Sequence, residues 1–152
     1  MSKYLPLLIV LTALFTRCVP PSEEKATGVH LDFTNSTYQA IYDLKDRSQT
    51  DSLIRYFRSK DATMRYMAVI AFASIKDSTA IDSLAAMMTD PEEEVRIAAA
   101  YSLGQIGNPK AEQLLLNAFD RYDTVGVSKN VNAAIMEAIG KCGTKEMLSA
   151  LA

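Results

Sequence analysis

Apolar residues recur three or four positions apart along most of the chain, which is the spacing of one face of an α-helix. In the stretch DPEEEVRIAAAYSLGQIG, residues 90–107, the side chains of Val95, Ala99, Ser102, Leu103 and Ile106 fall on one such stripe. No part of the sequence shows the apolar and polar alternation that is typical of a β-strand. The pattern therefore predicts an all-α fold.

Local signals predict where the helix of this stretch begins and ends. Asp90 is a good N-cap, Pro91 suits the first helical position, and Glu93 stands three residues after the cap, as in a capping box. Gly107 is expected to end the helix in the left-handed conformation. Pro109 then starts a second helix, so the unit is predicted to be a helical hairpin.

The same hairpin pattern occurs four times. Residues 33–57, 64–88, 95–119 and 131–152 superimpose at offsets of 31, 31 and 36. The matching columns are Ile41, Phe72, Leu103 and Ile139; Leu44, Ile75, Ile106 and Cys142; Leu53, Leu84, Leu115 and Leu151; and Ala40, Ala71, Ser102 and Ala138. Repeats of this length predict an α-solenoid of about four helical hairpins, in which stacking creates one continuous core. Runs of alanine in the first helix of a unit would let neighbouring helices approach closely.

The third unit resembles HEAT repeats of the short kind that also occurs in bilin lyases. The motif VRxxAxxxLGxIG is carried by Val95, Arg96, Ala99, Leu103, Gly104, Ile106 and Gly107. The resemblance extends over residues 33–152; it is strong in the third unit, fair in the second and degenerate in the first and fourth. It implies an all-α solenoid whose surface holds another protein.

The resemblance also implies two sets of functional residues. An Asp before the first helix and an Arg within it form a ladder between neighbouring units in the family, and Asp90, Arg96 and Arg65 match these positions. Asn132 stands at the Arg position of the fourth unit, so the ladder is expected to stop there. The second helices line the concave side in the family, which makes outward residues there candidates for contacting a partner. These candidates are Asp51, Arg55, Asp82, Gln113 and Asn117.

The longer offset before the fourth unit comes from the stretch DRYDTVGVSKN, residues 120–130. Insertions between repeats often lie on a binding face, so Tyr122 joins the candidate contacts. A surface loop that merely tolerates extra residues, without a role in binding, explains the insertion equally well.

The N-terminus has the pattern of an export signal. Lys3 is followed by an apolar run over residues 5–15, which is too short to span a bilayer, and then by Cys18. The stretch resembles a bacterial lipoprotein signal, which implies cleavage after residue 17 and a lipid on Cys18. Arg17 departs from that family, in which a small residue usually precedes the Cys. An ordinary secretory signal or an uncleaved anchor remains open. Residues 18–32 are predicted to form a flexible tether between membrane and solenoid.

Charge and candidate chemistry narrow the possible functions. The net charge is −2, and it becomes −4 when residues 1–17 are removed, so the chain lacks the basic surface of a nucleic-acid-binding protein. His30 is the single histidine and lies in the expected tether, while Cys142 stands in an apolar column. We therefore expect no catalytic residue, no metal and no cofactor.

These observations predict a non-catalytic scaffold or adaptor for a protein or peptide partner, held in the bacterial cell envelope by an N-terminal lipid. Two alternatives stay open. One is an enzyme similar to the bilin lyases, which would need a pigment-sized groove with a convergent acid or histidine. The other is a regulatory or structural N-terminal segment of a larger envelope protein.

Overall fold

The computed structural model describes residues 28–143. The predicted signal peptide, Cys18, most of the expected tether and the second helix of the fourth unit, with Leu151, lie outside the described residues. The helices are α1 (Ser36–Asp46), α2 (Thr50–Tyr56), α3 (Ala62–Ile75), α4 (Ile81–Ala86), α5 (Glu93–Ile106), α6 (Pro109–Ala118) and α7 (Lys129–Cys142). Two short 3-10 turns, Ser78–Ala80 and Met87–Thr89, flank α4.

The helices form three successive hairpins and the first helix of a fourth. The first helices α1, α3, α5 and α7 pack side by side in one layer, and α2, α4 and α6 form the second layer. Residues 28–143 contain no strand. The predicted all-α, solenoid-like fold is therefore confirmed.

The core lies between these two layers and between successive units. The column Ile41, Phe72, Leu103 and Ile139 is almost fully buried, as are Leu53, Leu84 and Leu115. The Ala column behaves differently at its beginning: Ala71, Ser102 and Ala138 are buried, whereas Ala40 is exposed. In such a stack each first helix covers this column on the helix that follows it. No described helix precedes α1, so Ala40 stays exposed.

Small residues bring α5 and α7 into close contact. A Cβ atom on Gly104 would lie only 2.7 Å from the Cα of Ala138. On the opposite side of α5, the hydroxyl of Ser102 donates a 2.9 Å hydrogen bond to the carbonyl of Val69 in α3. The alanine-rich sequence of α5 is thus explained by neighbours on both sides.

The end of α5 is predicted correctly from its sequence, but its beginning is not. Gly107 has φ +66° and ψ +27°, the left-handed conformation expected of a helix-ending glycine. At the other end, the N-cap is Glu92 and the helix begins at Glu93, so Asp90 is not the N-cap and Glu93 cannot complete a capping box. The Asp90 carboxylate instead accepts hydrogen bonds from the backbone N–H of Glu92 and from a side chain of the preceding unit.

The last residues of the expected tether are packed against the solenoid. The backbone N–H of His30 donates a 2.8 Å hydrogen bond to the hydroxyl of Thr63, and Val29 is partly buried against the core. At Gly28, an added Cβ would lie 2.8 Å from the Glu92 carboxyl group. The chain therefore runs from the beginning of α5 past the beginning of α3 to α1. None of the helices within the described part of the chain is long and apolar enough to cross a membrane.

Candidate functional site

Arg65 and Asp90 form a buried, two-pronged ion pair between the second and third units. Nε and Nη2 of Arg65 donate to the two carboxylate oxygens of Asp90 over 2.7 and 2.9 Å. Nη1 of Arg65 donates to the carbonyls of Ser59 and Lys60, so the guanidinium also ties down the connection before α3. The hydrogen bond to Asp90 raises the pKa of Arg65, against the opposing effect of burial. This pair connects two units in the way that the resemblance implies for a ladder.

The next step of this ladder is absent between the third and fourth units in the described part of the chain. The Arg96 guanidinium donates to the backbone carbonyls of Asp90 and Pro91 instead of to a carboxylate of the following unit. Asn132, at the equivalent position of the fourth unit, accepts from the backbone N–H of Asp120 and donates to its carbonyl. Instead of making a ladder contact, Asn132 therefore fixes the beginning of the inserted loop.

The candidate contacts on the second helices lie on an exposed, polar face. Asp51, Arg55, Asp82, Gln113 and Asn117 are all exposed. Several of these side chains have partners within the chain: Asp82 pairs with Lys110 at 2.7 Å, and the Gln113 amide donates to Asn117. Arg55 lines an open depression with Leu44, Ser52 and Tyr56.

A different surface has the properties of a docking site. On the outer side of the first helices, Tyr66 and Ile70 of α3 lie beside Ile97 and Tyr101 of α5 and line a groove of about 250 Å³. Ala98, Ala134 and Ala138 form the rest of its apolar lining, and Glu137 and Lys141 stand at its rim. Lys141 Nζ lies 4.9 Å from the centre of the Tyr101 ring and 2.6 Å from Glu137. We call this surface the Tyr66–Tyr101 groove.

A second depression adjoins this groove on the same face. It encloses about 270 Å³ between α1 and α3 and shares Tyr66 and Ile70 with the Tyr66–Tyr101 groove. Leu31 of the N-terminal segment, Tyr42, Lys45 and Ser74 also line it. The two depressions together make a mostly apolar surface across α1, α3, α5 and α7.

The sequence carries a signal for this surface in columns that face away from the core. Tyr66 and Ile97 are 31 residues apart, as are Ile70 and Tyr101, so large apolar residues recur at outward columns of the second and third units. The core of the stack does not require apolar residues at these columns. Polar Asn35 and Gln39 occupy the same columns in the first unit.

The thiol of Cys142, at the end of α7, is buried against its own helix. Cys142 is 7% exposed, and its thiol donates to the Ala138 carbonyl over 3.2 Å. Burial raises the pKa of this thiol, and the negative charge of the nearby Glu112 raises it further. The arrangement favours the neutral thiol, which is a poor nucleophile. Within residues 28–143, no three His, Cys, Asp or Glu side chains are grouped so as to hold a metal ion.

Comparison with known proteins assigns the class of fold. Residues 50–126 match the family model of HEAT repeats, which covers half of the chain. The chain belongs to the HEAT-repeat family, whose members commonly act as protein-interaction scaffolds. No curated protein matches the chain.

Proposed function

We propose that this protein is a non-catalytic scaffold that is tethered to the bacterial cell envelope and binds a partner protein in the Tyr66–Tyr101 groove. The observation that carries the proposal is an apolar, tyrosine-rich groove on the outer face of a HEAT-repeat stack. Contiguous exposed apolar surface with a polar rim is typical of protein interaction sites. Tyrosine contributes large contact areas at such sites and is frequent among their energetically dominant residues.

The chemistry of the groove favours a protein segment with aliphatic or aromatic side chains. The floor is made of alanines, which leaves room for a few side chains between the rings of Tyr66 and Tyr101. Glu137 and Lys141 at one end offer one acceptor and one donor to the polar groups that flank such a segment. The polar side chains of the second helices pair with one another in part, so that face is the weaker candidate.

Site-specific photo-crosslinking in living cells would test the position of this interface. A photoreactive side chain at Tyr101 is expected to capture one discrete partner protein, and the same group at Gln113 on the second-helix face is the matched control. Replacing Ile70 by Glu should abolish the product formed from position 101, because a charge would then lie in the apolar groove. Crosslinks from position 113 alone would contradict the proposed location.

The envelope tether rests on the N-terminal sequence. An apolar run of export length is followed by Cys18 and then by a polar stretch that leads to the solenoid. The multiply acylated Cys of a bacterial lipoprotein would hold the domain stably, because a single acyl chain binds membranes only marginally.

Metabolic labelling with a fatty-acid analogue tests the anchor. Wild-type protein is expected to be labelled and the Cys18→Ser variant to be unlabelled. Arg17→Gly should increase the processed fraction if the arginine slows processing. Unlabelled wild-type protein, or a labelled Ser variant, would remove the lipoprotein assignment.

A further inference from the structure

The loop over residues 120–130, which we call the Tyr122 loop, exposes three apolar side chains. The exposed fractions are 88% for Tyr122, 82% for Val125 and 69% for Val127. These values exceed those of the other exposed large apolar residues in the described part of the chain. The first two connections between units, of similar position in the stack, contain no comparable group.

The backbone of this loop is held in place by carboxylates within it. Asp123 accepts hydrogen bonds from the backbone N–H groups of Val127 and Ser128, and Asp120 accepts one from Tyr122. Asn132 fixes the beginning of the loop through the backbone of Asp120. The carboxylates of the loop thus accept hydrogen bonds from its own backbone, while its apolar side chains are exposed to solvent.

The base of the Tyr122 loop and the N-terminal segment lie at the same edge of the molecule. The side-chain amide of Asn130 donates to the Glu93 carboxylate over 2.8 Å. Gly28 lies against the carboxyl group of Glu92, the residue before Glu93. Both features therefore contact the beginning of α5, and residues 1–27 join the described domain at this edge.

The length of chain outside the structure limits how far this edge can lie from an anchored Cys18. Nine residues lie between Cys18 and Gly28, and the ten residue-to-residue steps of a fully extended chain reach at most about 36 Å. An anchor at Cys18 would keep Gly28, which lies against Glu92 at this edge, within that distance of the lipid surface. The Tyr122 loop, whose base contacts the start of α5 through Asn130, would then be held on the tethered side of the solenoid.

We propose that the Tyr122 loop inserts into the interface of the membrane to which the protein is tethered, as a second contact that orients the solenoid. This inference rests on the proposed envelope tether. The Tyr122 ring suits the headgroup level, where tyrosine side chains are enriched, and the two valines would lie on the acyl side. The positive charges of Arg121 and Lys129 are balanced by the negative charges of Asp120, Asp123 and the glutamates that begin α5. The contact is therefore apolar and does not require anionic lipid.

The absence of tryptophan from the sequence allows a direct test. The full-length Tyr122→Trp variant, purified from cells and reconstituted in phosphatidylcholine vesicles, should show blue-shifted emission. Brominated acyl chains should quench most of that emission. The control is Tyr101→Trp, because this residue lies eight positions after Glu93, about 12 Å further along α5. Its emission should be neither shifted nor quenched.

A third variant separates insertion from mere proximity. Adding Val125→Asp to Tyr122→Trp should reverse the shift and most of the quenching, since the exposed valine supports no core packing. Equal quenching with and without the aspartate would overturn the proposed insertion.

The same variants distinguish failure of the loop proposal from failure of the proposed lipid anchor. Lipidated Tyr122→Trp protein that floats with vesicles while its tryptophan emission remains unquenched would overturn the loop proposal and leave the tether intact. In the Cys18→Ser background, quenching that requires a large excess of vesicles would support the loop without the anchor. The absence of quenching at any vesicle concentration in both backgrounds would overturn the loop proposal.

Discussion

At the scale of single residues, the Arg65–Asp90 pair is a buried polar contact in the described part of the chain, and it has a large expected effect on stability. The two residues are 9% and 8% exposed, and each makes several hydrogen bonds. Removal of one partner from a buried pair costs about 3–5 kcal/mol, because the other charge stays buried without compensation. Deletion of one partner is therefore expected to cause a large loss in the free energy of unfolding.

We predict that Asp90→Ala lowers the free energy of unfolding by about 3 kcal/mol. The matched control is Asp82→Ala, which breaks the exposed pair with Lys110 and should cost less than about 1 kcal/mol. Denaturant titration of both variants measures the difference. Equal losses would show that the pair between units contributes no more than a surface contact.

Cys142 is expected to be unreactive in the native protein. The thiol is buried and its pKa is raised, so little thiolate forms at neutral pH. With Cys18 replaced by Ser, a thiol reagent should label the native protein slowly and the unfolded protein rapidly.

Position 140 provides the control for this measurement. A side chain at Gly140 meets no atom within 4 Å, so Gly140→Cys combined with Cys142→Ala places a thiol on the exposed side of the same helix. That thiol should react quickly in the native state. Similar rates for the two cysteines would contradict the buried position of Cys142.

At the scale of helices, the approach of α5 to α7 depends on the absence of a side chain at Gly104. A Cβ there would lie 2.7 and 2.8 Å from the Cα and Cβ of Ala138, closer than real contacts of this kind. The clash involves main chain, which cannot move without shifting a whole helix.

We predict opposite effects for two Gly→Ala substitutions in neighbouring helices. Gly104→Ala should destabilise the protein by about 1–3 kcal/mol through overpacking, despite the better helix propensity of alanine. Gly140→Ala, in open space on α7, should stabilise it by about 0.5–1 kcal/mol. Thermal and denaturant unfolding of the two variants would check the signs. A stabilising Gly104→Ala would show that the two helices are not packed as closely as described.

At the scale of the whole molecule, stability is expected to vary along the stack, because each unit contacts only its neighbours. α5 lies between α3 and α7, and its buried residues from Val95 to Leu103 are at most 2% exposed. α1 has a neighbouring first helix on one side, and its Ala40 is exposed.

Hydrogen exchange should follow this gradient. Backbone amides of α5 are predicted to be the most protected and those of α1 the least protected among the first helices. Mass spectrometry of the exchanging native protein measures both helices at once. Equal protection of α1 and α5 would show that the described units unfold as one cooperative block.

The sequence alone determined the class of fold, the hairpin unit and the fully buried columns of its core, whereas Ala40 of one predicted column is exposed. These properties depend on spacing within one helix and on the period between units, both of which are written along the chain. The left-handed Gly107 was predictable for the same reason, since the end of a helix is decided by a few adjacent residues.

The resemblance implied a ladder contact through Asp90 and Arg65, but only the tertiary structure decided its geometry and the other contacts between units. Asp90 had the local pattern of an N-cap, but its carboxylate binds Arg65 from 25 residues away, and the helix begins three residues later, at Glu93. The Tyr66–Tyr101 groove arises because α3 and α5 lie side by side, and the base of the Tyr122 loop lies near the N-terminal segment because both contact the start of α5. Such contacts depend on distances between segments far apart in the chain, which helical periodicity does not specify.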